Sequence, residues 1–370
     1  MKASLLCGAH YEGAEAHFQR PPVPPARCDP AIAGQSYDHY LSYAALADDL
    51  GFDWVSVSEH HYSPLILAPS VAPLAGALTQ IVKRARIALL GPLASINNPV
   101  RLAEEIAMLD QLSGGRLEVG LGKGGNPYEL LAYGIEPGDA QRRYDEVLAA
   151  VLRMLETGTV GAPGTAAAAA ELPVRLRQAP CPPLWYPSSN PASVPRLGRQ
   201  GINTILGFSF RSPTIEETRL RRDEYFAGVA DAPPGTAMGG AGAPTPRFGI
   251  MRNVFVGESD RAARERMVEA MEVFYEQFTA LWRRHGDERF TGAQDFTRAI
   301  DEGRLIAGSA ATVRAQLTGM MRASGGNHFA GAFAFGSLSH AEARSSLARF
   351  ADEVAPALRE PGGMVSGAAR

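Results

Sequence analysis

The sequence predicts a single (β/α)8 TIM barrel with insertions, spanning residues 1–370. Short β-rich apolar runs alternate with longer helix-patterned segments along nearly the whole chain. About eight such units are present, and repeated strand–helix units imply parallel strands whose faces are covered by helices. The 370 residues, 45% of them hydrophobic, suit one large barrel with an extensive core.

The predicted strands are short apolar segments bounded by turn or polar residues. They are residues 2–7, 53–58, 86–91, 116–121, 183–187, 203–208, 249–256 and 329–335. Predicted helices follow these strands at 38–51, 70–84, 99–113, 141–157, 191–200, 214–229, 260–284, 309–323 and 339–353. Insertions are expected near 158–180, 209–248 and 285–308, and the last of these is a candidate lid.

Local chemistry supports the helix boundaries, as the segment 99–113 illustrates. Asn98 is a good N-cap, and Pro99 suits the first helical position because its missing N–H would have no helical partner. Gly114 can end the helix.

Composition excludes several classes of protein. The net charge of −3, without a basic block, gives no electrostatic footprint for nucleic acid. Prolines interrupt the most apolar stretch, residues 64–82, so no membrane span is expected. The 3 cysteines have no CxxC spacing and are odd in number, which favours a reduced, cytoplasmic protein.

Polar residues at the carboxyl ends of the predicted strands are the candidates for function, because barrel enzymes build their sites there. The first strand leads into His10 and Glu12, and the second into EHHYS at 59–63. The fourth leads into GLGKGG at 120–125, and the fifth into PSSNPAS at 187–193.

The triplet Glu59-His60-His61 is the strongest candidate for acid–base chemistry, since histidine titrates near neutral pH. If the strand continued, the two histidine side chains would point in opposite directions. The alternatives are two structural histidines at a loop start, or a metal site formed with His10. No HExxH or comparable ligand spacing is present, so no metal is expected.

Gly120, Gly122 and Gly125 match the GxGxxG dinucleotide fingerprint. That fold also needs a second strand ending in an acidic residue about 20 positions later. The segments 126–133 and 141–157 instead have helical patterns. We therefore interpret the glycines as allowing close backbone approach to a ligand, with Lys123 available to meet an anion.

Residues Ser189, Asn190 and Ser193 mark a helix start whose free N–H groups and hydroxyls suit a phosphate. Ordinary helix capping by Asn190 explains the same residues equally well. Together with Lys123 and the Arg142-Arg143 pair, they favour a pocket for a phosphorylated cofactor.

Two long segments carry a resemblance to a known family. GFDWVSVSEHHYSP, followed by NNPVRLAEEIAMLDQLSGGRLEVGLGKGGNPYELLAYGI, closely resembles the bacterial luciferase-like flavin-dependent monooxygenase family. SSNPASVPRLGRQG resembles its phosphate-binding helix start, and FAFGSLSHAEARSSLARFADEVAP resembles its closing unit. Residues 208–308 are much less distinctive. The fold of that family is a (β/α)8 barrel, which agrees with the strand count.

The resemblance implies roles for the strand-end residues. His60 corresponds to the catalytic histidine, with Glu59 beside the flavin and His61 as its neighbour. Gly91, followed by Pro92, corresponds to a strained cis peptide under the flavin ring, and an X-Pro bond adopts cis more easily than other peptide bonds.

The resemblance also implies a phosphate site. Lys123 stands at the position of a phosphate-binding arginine, keeping its charge without the planar guanidinium. Arg142 matches a second phosphate arginine, although a one-residue insertion leaves Arg143 open. Asn190 and Ser193 match the serine and threonine of the phosphate-binding helix start.

The chemistry implied by the resemblance is that of a two-component monooxygenase. Reduced FMN, supplied by a separate flavin reductase, reacts with oxygen to form a peroxyflavin that oxidises a small organic substrate. A homodimer is expected by the same resemblance. Two alternatives stay open: a deazaflavin-dependent oxidoreductase of the same fold, and a non-catalytic flavin-binding protein.

Overall fold

The computed structural model describes residues 2–12, 28–62, 65–161, 164, 170–179, 181–188, 190–207, 209–233, 246–288 and 292–359. Within them the strands are β1 Lys2–Leu6, β2 Trp54–Val57, β3 Arg86–Leu93, β4 Leu117–Gly122, β5 Leu184–Ser188, β6 Asn203–Leu206, β7 Phe248–Val256, β8 Ile306–Gly308 and β9 His328–Ala332. Each predicted strand is present, with ends that differ by a few residues at most.

Eight of these strands close into a parallel barrel, in the ring order β1-β2-β3-β4-β5-β6-β7-β9. Pairing of β6 with β7 and of β9 with β1 completes the ring. The short strand β8 pairs with β7 outside this order. The predicted (β/α)8 barrel is confirmed.

The α-helices surround the barrel. They are α1 Pro30–Asp49, α2 Val71–Ile81, α3 Pro99–Leu112, α4 Pro127–Ala132, α5 Ala140–Thr157, α6 Val194–Arg199, α7 Ile215–Ala230, α8 Asp260–Arg284, α9 Phe296–Asp301, α10 Ala310–Ser324, α11 His340–Arg349 and α12 Ala355–Arg359. The largest departure from prediction is α1, which begins at Pro30 rather than near residue 38. The Asp29 carboxylate accepts from the Ala31 N–H at 2.7 Å, and Pro30 occupies the first helical position.

The core has an inner and an outer layer, which β3 illustrates. Ala88 and Leu90 belong to the cluster inside the barrel together with Trp185, whereas Ile87 and Leu89 belong to the shell between strands and helices. This alternation is the two-residue period of a strand covered on both faces.

The insertion at 285–308 is largely folded in its described part. Phe296 and Ile300 of α9 are buried in a cluster with residues of α8, and β8 extends the sheet from β7. These contacts fix residues 292–308 to the barrel. The sequence pattern missed both elements because each is very short.

Candidate active site

The Glu59-His60-His61 triplet lies in a loop at the carboxyl end of β2. The strand ends at Val57, so the alternation of side chains no longer applies beyond it. The His61 side chain is buried, with 3% exposed, whereas that of His60 is 27% exposed. Tyr62 then adopts a φ of +58°, a left-handed conformation that costs a non-glycine residue about 1–3 kcal/mol and recurs at functional sites.

Both ring nitrogens of His61 have hydrogen-bond partners. Its Nε2 lies 3.2 Å from Glu59 Oε1, and its Nδ1 lies 3.3 Å from the Tyr133 hydroxyl. Because a carboxylate only accepts, Nε2 is the donor in the contact with Glu59, and the Tyr133 hydroxyl is the partner of Nδ1. Glu59 Oε1 also accepts from the Leu93 N–H at 3.4 Å, which joins the ends of β2 and β3.

Glu129 of α4 is the second carboxylate at the histidines. It is buried, with 4% exposed, and its Oε1 accepts from the His61 N–H at 2.9 Å. The same oxygen lies 3.5 Å from His60 Nδ1. Glu129 therefore fixes the backbone at His61 and faces one ring nitrogen of His60.

Tyr133, which follows α4, is held in its protonated form. Partial burial raises the pKa of Tyr133, and Tyr62, with the carboxylates of Glu59 and Glu129, raises it further. A phenol that keeps its proton is a suitable donor to His61 Nδ1.

Beside this loop, two glycines on neighbouring strands leave the backbone without side chains. Gly91 has a φ of +110°, and a Cβ placed there would meet no atom within 4 Å. A Cβ on Gly122 of β4 would lie 3.4 Å from the Gly91 Cα. The backbones of β3 and β4 therefore come together here with open space above Gly91, so a flat ligand can approach the main chain closely.

Cationic groups lie where β3 and β4 end. The Ser95 hydroxyl donates to the Lys123 carbonyl oxygen at 2.5 Å, and the half-buried Arg143 donates from Nε to the Ser95 carbonyl oxygen at 2.7 Å. Arg142 instead is exposed and pairs with Asp139 at 3.1 Å and Glu146 at 2.9 Å. The structure thus brings Arg143, rather than Arg142, to the loop that carries Lys123.

The helix start after β5 is connected to the same region. Asn190 Oδ1 accepts from the Ala192 N–H at 3.1 Å, which is the capping arrangement expected for that residue. Ser193 directly precedes α6 and forms no side-chain cap there. Arg196 of α6 pairs with Asp145 of α5 at 3.1 Å. Ser189 lies outside the residues that the structure describes.

Sequence reasoning missed Glu129, Tyr133 and Ser95. The helical pattern of residues 126–133 predicted the helix that carries Glu129, and the Asn126 carboxamide caps it, accepting from the Tyr128 N–H at 3.0 Å. No local pattern, however, indicates that this helix turns its carboxylate toward the histidines.

The described ranges contain neither a metal-binding cluster nor a membrane-spanning helix. There, no group of three or more His, Cys, Asp or Glu side chains is arranged to hold a metal ion. In the same part of the chain, no helix is long and apolar enough to cross a membrane.

Comparison with known proteins establishes the family. The sequence profile of the luciferase-like monooxygenase family matches residues 18–328 of this chain. The chain therefore belongs to the luciferase-like, flavin-dependent monooxygenase family, and that membership supports an oxidoreductase. The resemblance recognised in the sequence is confirmed.

Two relatives illustrate the match in sequence. An uncharacterized protein of Sinorhizobium fredii, y4wF, is 30% identical over 312 residues, which cover 83% of this chain and 87% of that protein. The oxygenase component of the flavin-dependent trigonelline monooxygenase of Acinetobacter baylyi is 25% identical, over 67% of each chain.

Solved structures share the fold at lower identity. The monooxygenase RslO1 of Streptomyces bottropensis has a TM-score of 0.78 at 24% identity, covering 96% of this chain and 99% of that one. The oxygenating constituent of 3,6-diketocamphane monooxygenase of Pseudomonas putida, in complex with FMN, has a TM-score of 0.72 at 19% identity, over 96% and 98%. An F420-dependent secondary alcohol dehydrogenase has a TM-score of 0.68 at 17% identity, over 97% and 99%. These likenesses support the barrel.

Proposed function

We propose that this protein is the oxygenase component of a two-component monooxygenase, which uses reduced FMN and oxygen to oxidise a small organic substrate. The proposal rests on one observation: three groups of candidate residues lie next to one another at the same edge of the barrel. The histidine loop, the two glycines and the Lys123–Ser95–Arg143 group follow one another along the ends of β2, β3 and β4.

The residues fit FMN in two respects. Gly91 offers open space where any other residue would carry a Cβ, which suits a flat ring system against the backbone. Lys123 and Arg143 suit the phosphate, as cations form strong charge-assisted bonds to it. We assign the second phosphate arginine to Arg143, because Arg142 is already paired with two carboxylates on the exposed face of α5. Asn190 and Ser193 are proposed to complete this end of the site.

His60 is the proposed proton-transfer group. Its side chain is partly exposed and its Nδ1 faces Glu129, which leaves Nε2 to exchange a proton with a bound molecule. Since His61 uses both ring nitrogens within the protein, we assign it a positioning role together with Glu59. FMN would supply the redox chemistry, and the protein would exclude water from it.

The proposed partner is a flavin reductase that supplies the reduced cofactor. The relative from Acinetobacter baylyi is named as the oxygenase component of its enzyme, which supports the same division of labour here. The proposed assembly is a homodimer. Met108 and Leu112, exposed apolar side chains one helical turn apart on α3, suit a face that a second copy covers.

A deazaflavin-dependent oxidoreductase is the second candidate. The likeness to the F420-dependent alcohol dehydrogenase covers nearly the whole chain, so the fold is compatible with either cofactor. A non-catalytic flavin-binding protein is the third, and the His60–Glu129 arrangement argues against it.

The deciding experiment is anaerobic titration of the purified protein with reduced FMN and, separately, with reduced deazaflavin, followed by mixing with air-saturated buffer. We expect tight binding of reduced FMN and a transient flavin absorbance that depends on oxygen. Preference for the deazaflavin, with no oxygen-dependent transient, would assign the protein to the second candidate.

The role of His60 is tested with His60→Ala and the more conservative His60→Gln. Both should lower turnover roughly a hundredfold or more, the range for loss of a general acid–base group. The Kd for reduced FMN should stay close to that of the unmodified protein. Equal losses of turnover and of FMN binding would contradict the role.

A further inference from the structure

Tyr128 joins the helix that carries Glu129 to the end of the long helix α8. Its ring stacks on His285 with centroids 3.9 Å apart and planes 3° from parallel, and it meets Trp282 edge-on at 5.7 Å. Its hydroxyl donates to Asp287 Oδ2 at 3.0 Å. Three residues at the end of α8 and just after it therefore contact a single side chain of α4.

The end of α8 is itself well fixed. The Asp287 N–H donates to the Trp282 carbonyl oxygen at 2.9 Å, and Gly286 adopts the left-handed φ of +66° that closes such helix ends. Trp282 is buried, with 6% of its surface exposed. Tyr128 thus contacts a helix end that is closed by its own hydrogen bond and anchored by a buried side chain.

Helix α4 needs such a support. It has 6 residues, and a helix this short gains too few internal hydrogen bonds to hold its own position. Glu129, the residue after Tyr128, accepts from the His61 N–H and faces His60 Nδ1. A shift of α4 would therefore move the Glu129 carboxylate away from both histidines.

We propose that Tyr128 is a positioning residue for the active site. Its contacts with the C-terminal end of α8 fix the position of α4, and α4 in turn keeps Glu129 next to His60 and His61. This inference rests on the proposed function for its effect on turnover, but its structural part does not. The described contacts of Tyr128 are with Trp282, His285 and Asp287, so we expect it to act on the proton-transfer step and not on FMN affinity.

The structural part is tested on the free protein by hydrogen exchange at the His61 amide. Tyr128→Ala should speed this exchange, because the amide loses the Glu129 acceptor. Tyr128→Phe removes the hydroxyl bond to Asp287 but keeps the ring, and it should have a smaller effect of the same sign. This variant keeps the test valid if the alanine variant folds poorly. Tyr275→Phe is the matched control, since it removes a hydroxyl bond from α8 to Gly292 without touching α4.

The functional part is a double-mutant cycle with Glu129→Ala. We expect Tyr128→Ala to lower kcat roughly tenfold to a hundredfold, the cost of misplacing a catalytic group by about 1 Å, with the Kd for reduced FMN unchanged. In the Glu129→Ala background it should add no further loss, because both changes act through one carboxylate.

Additive losses in the cycle, or His61 exchange that stays unchanged in Tyr128→Ala, would overturn the proposal. Absence of oxygen-dependent turnover in the unmodified protein would instead contradict the proposed function. The exchange measurement would then decide the positioning role alone, so the two failures are distinguishable.

Discussion

Neighbouring arginines at the start of α5 have opposite environments. Successive residues of an α-helix are rotated by about 100°, so Arg142 and Arg143 must point in different directions. Arg142 pairs with Asp139 and Glu146 on the exposed face, whereas Arg143 donates to the Ser95 carbonyl oxygen. The two residues therefore offer a matched test of the phosphate assignment.

Arg143→Ala should weaken FMN binding, whereas Arg142→Ala should leave it unchanged. Loss of a charge-assisted hydrogen bond costs about 1.5–3 kcal/mol, or roughly tenfold to a hundredfold in Kd. Anaerobic fluorescence titration measures this. Riboflavin, which lacks the phosphate, is the ligand control, and its affinity should be the same in both variants. A weaker FMN complex with Arg142→Ala but not with Arg143→Ala would reverse the assignment.

The candidate site residues that the sequence predicted lie at strand ends, whereas those that it missed lie on or beside a helix that makes a contact distant in sequence. His60 and Lys123 follow strands β2 and β4, and Gly91 lies near the end of β3; all strand ends of a barrel meet at one edge. Glu129 and Tyr133 lie on and just after α4, whose Tyr128 bonds to Asp287, 159 positions away in the chain. No short-range pattern encodes such a contact.

At the scale of elements, a buried charge cluster joins the beginnings of four strands. Glu118 of β4 is fully buried, and its Oε1 lies 2.7 Å from Arg86 Nε and 2.9 Å from Arg247 Nη1. The Trp185 indole N–H donates to the other carboxylate oxygen, and the Arg247 guanidinium lies 4.8 Å from the Trp185 ring centre. The carboxylate thereby connects β3, β4, β5 and the start of β7.

Glu118→Ala should destabilise the protein by about 3–5 kcal/mol, because it leaves two largely buried guanidinium groups without their carboxylate. Urea unfolding followed by tryptophan fluorescence measures the change. Glu105→Ala is the control: its i,i+4 partner Arg101 is exposed, and such a pair adds little. Equal effects of the two substitutions would contradict the importance of burial.

Elements could be predicted more completely than sites because their signals are local. Asn98 was predicted to cap α3, and its Oδ1 accepts from the Val100 N–H at 2.9 Å. The Gly120–Gly125 motif was predicted not to belong to a dinucleotide fold, and helices α4 and α5 do follow it in place of a strand. Strand β8 escaped prediction because three residues give no measurable period. Helix α9 lies in the segment 285–308 that was predicted to be an insertion.

At the scale of the whole molecule, two histidines are buried in uncharged form. Burial lowers the pKa of His10 to about 4, and burial together with the nearby Arg247 charge lowers the pKa of His328 well below its usual range. The His328 ring stacks on Trp54, with centroids 5.1 Å apart, and its nitrogens have no hydrogen-bond partner among the described residues. An imidazolium in either place would be a charge without compensation.

Because His10 and His328 are uncharged in the folded protein, we expect its free energy of unfolding to fall in mild acid. A histidine of the unfolded chain titrates near 6.5, so between that pH and about 4 the unfolded state binds a proton that native His10 does not. Stability is therefore full above pH 6.5 and falls as the pH drops toward 4, with His10 contributing a loss of about 3 kcal/mol. Glu342, whose pKa is lowered to about 2, chiefly by its bond to Arg266, loses its contribution only as the pH falls below about 4.5.

His10→Gln should flatten this pH dependence. The comparison is between urea midpoints at pH 7 and pH 4.5, so a constant cost of the substitution itself cancels in the difference. His285→Gln provides the control, since it removes an imidazole that lies exposed at the surface. The contrary result is a His10→Gln variant that loses as much stability between the two pH values as the unmodified protein does. That result would show that proton uptake by His10 on unfolding does not cause the pH dependence. The acid sensitivity would then belong to His328 or to the carboxylates.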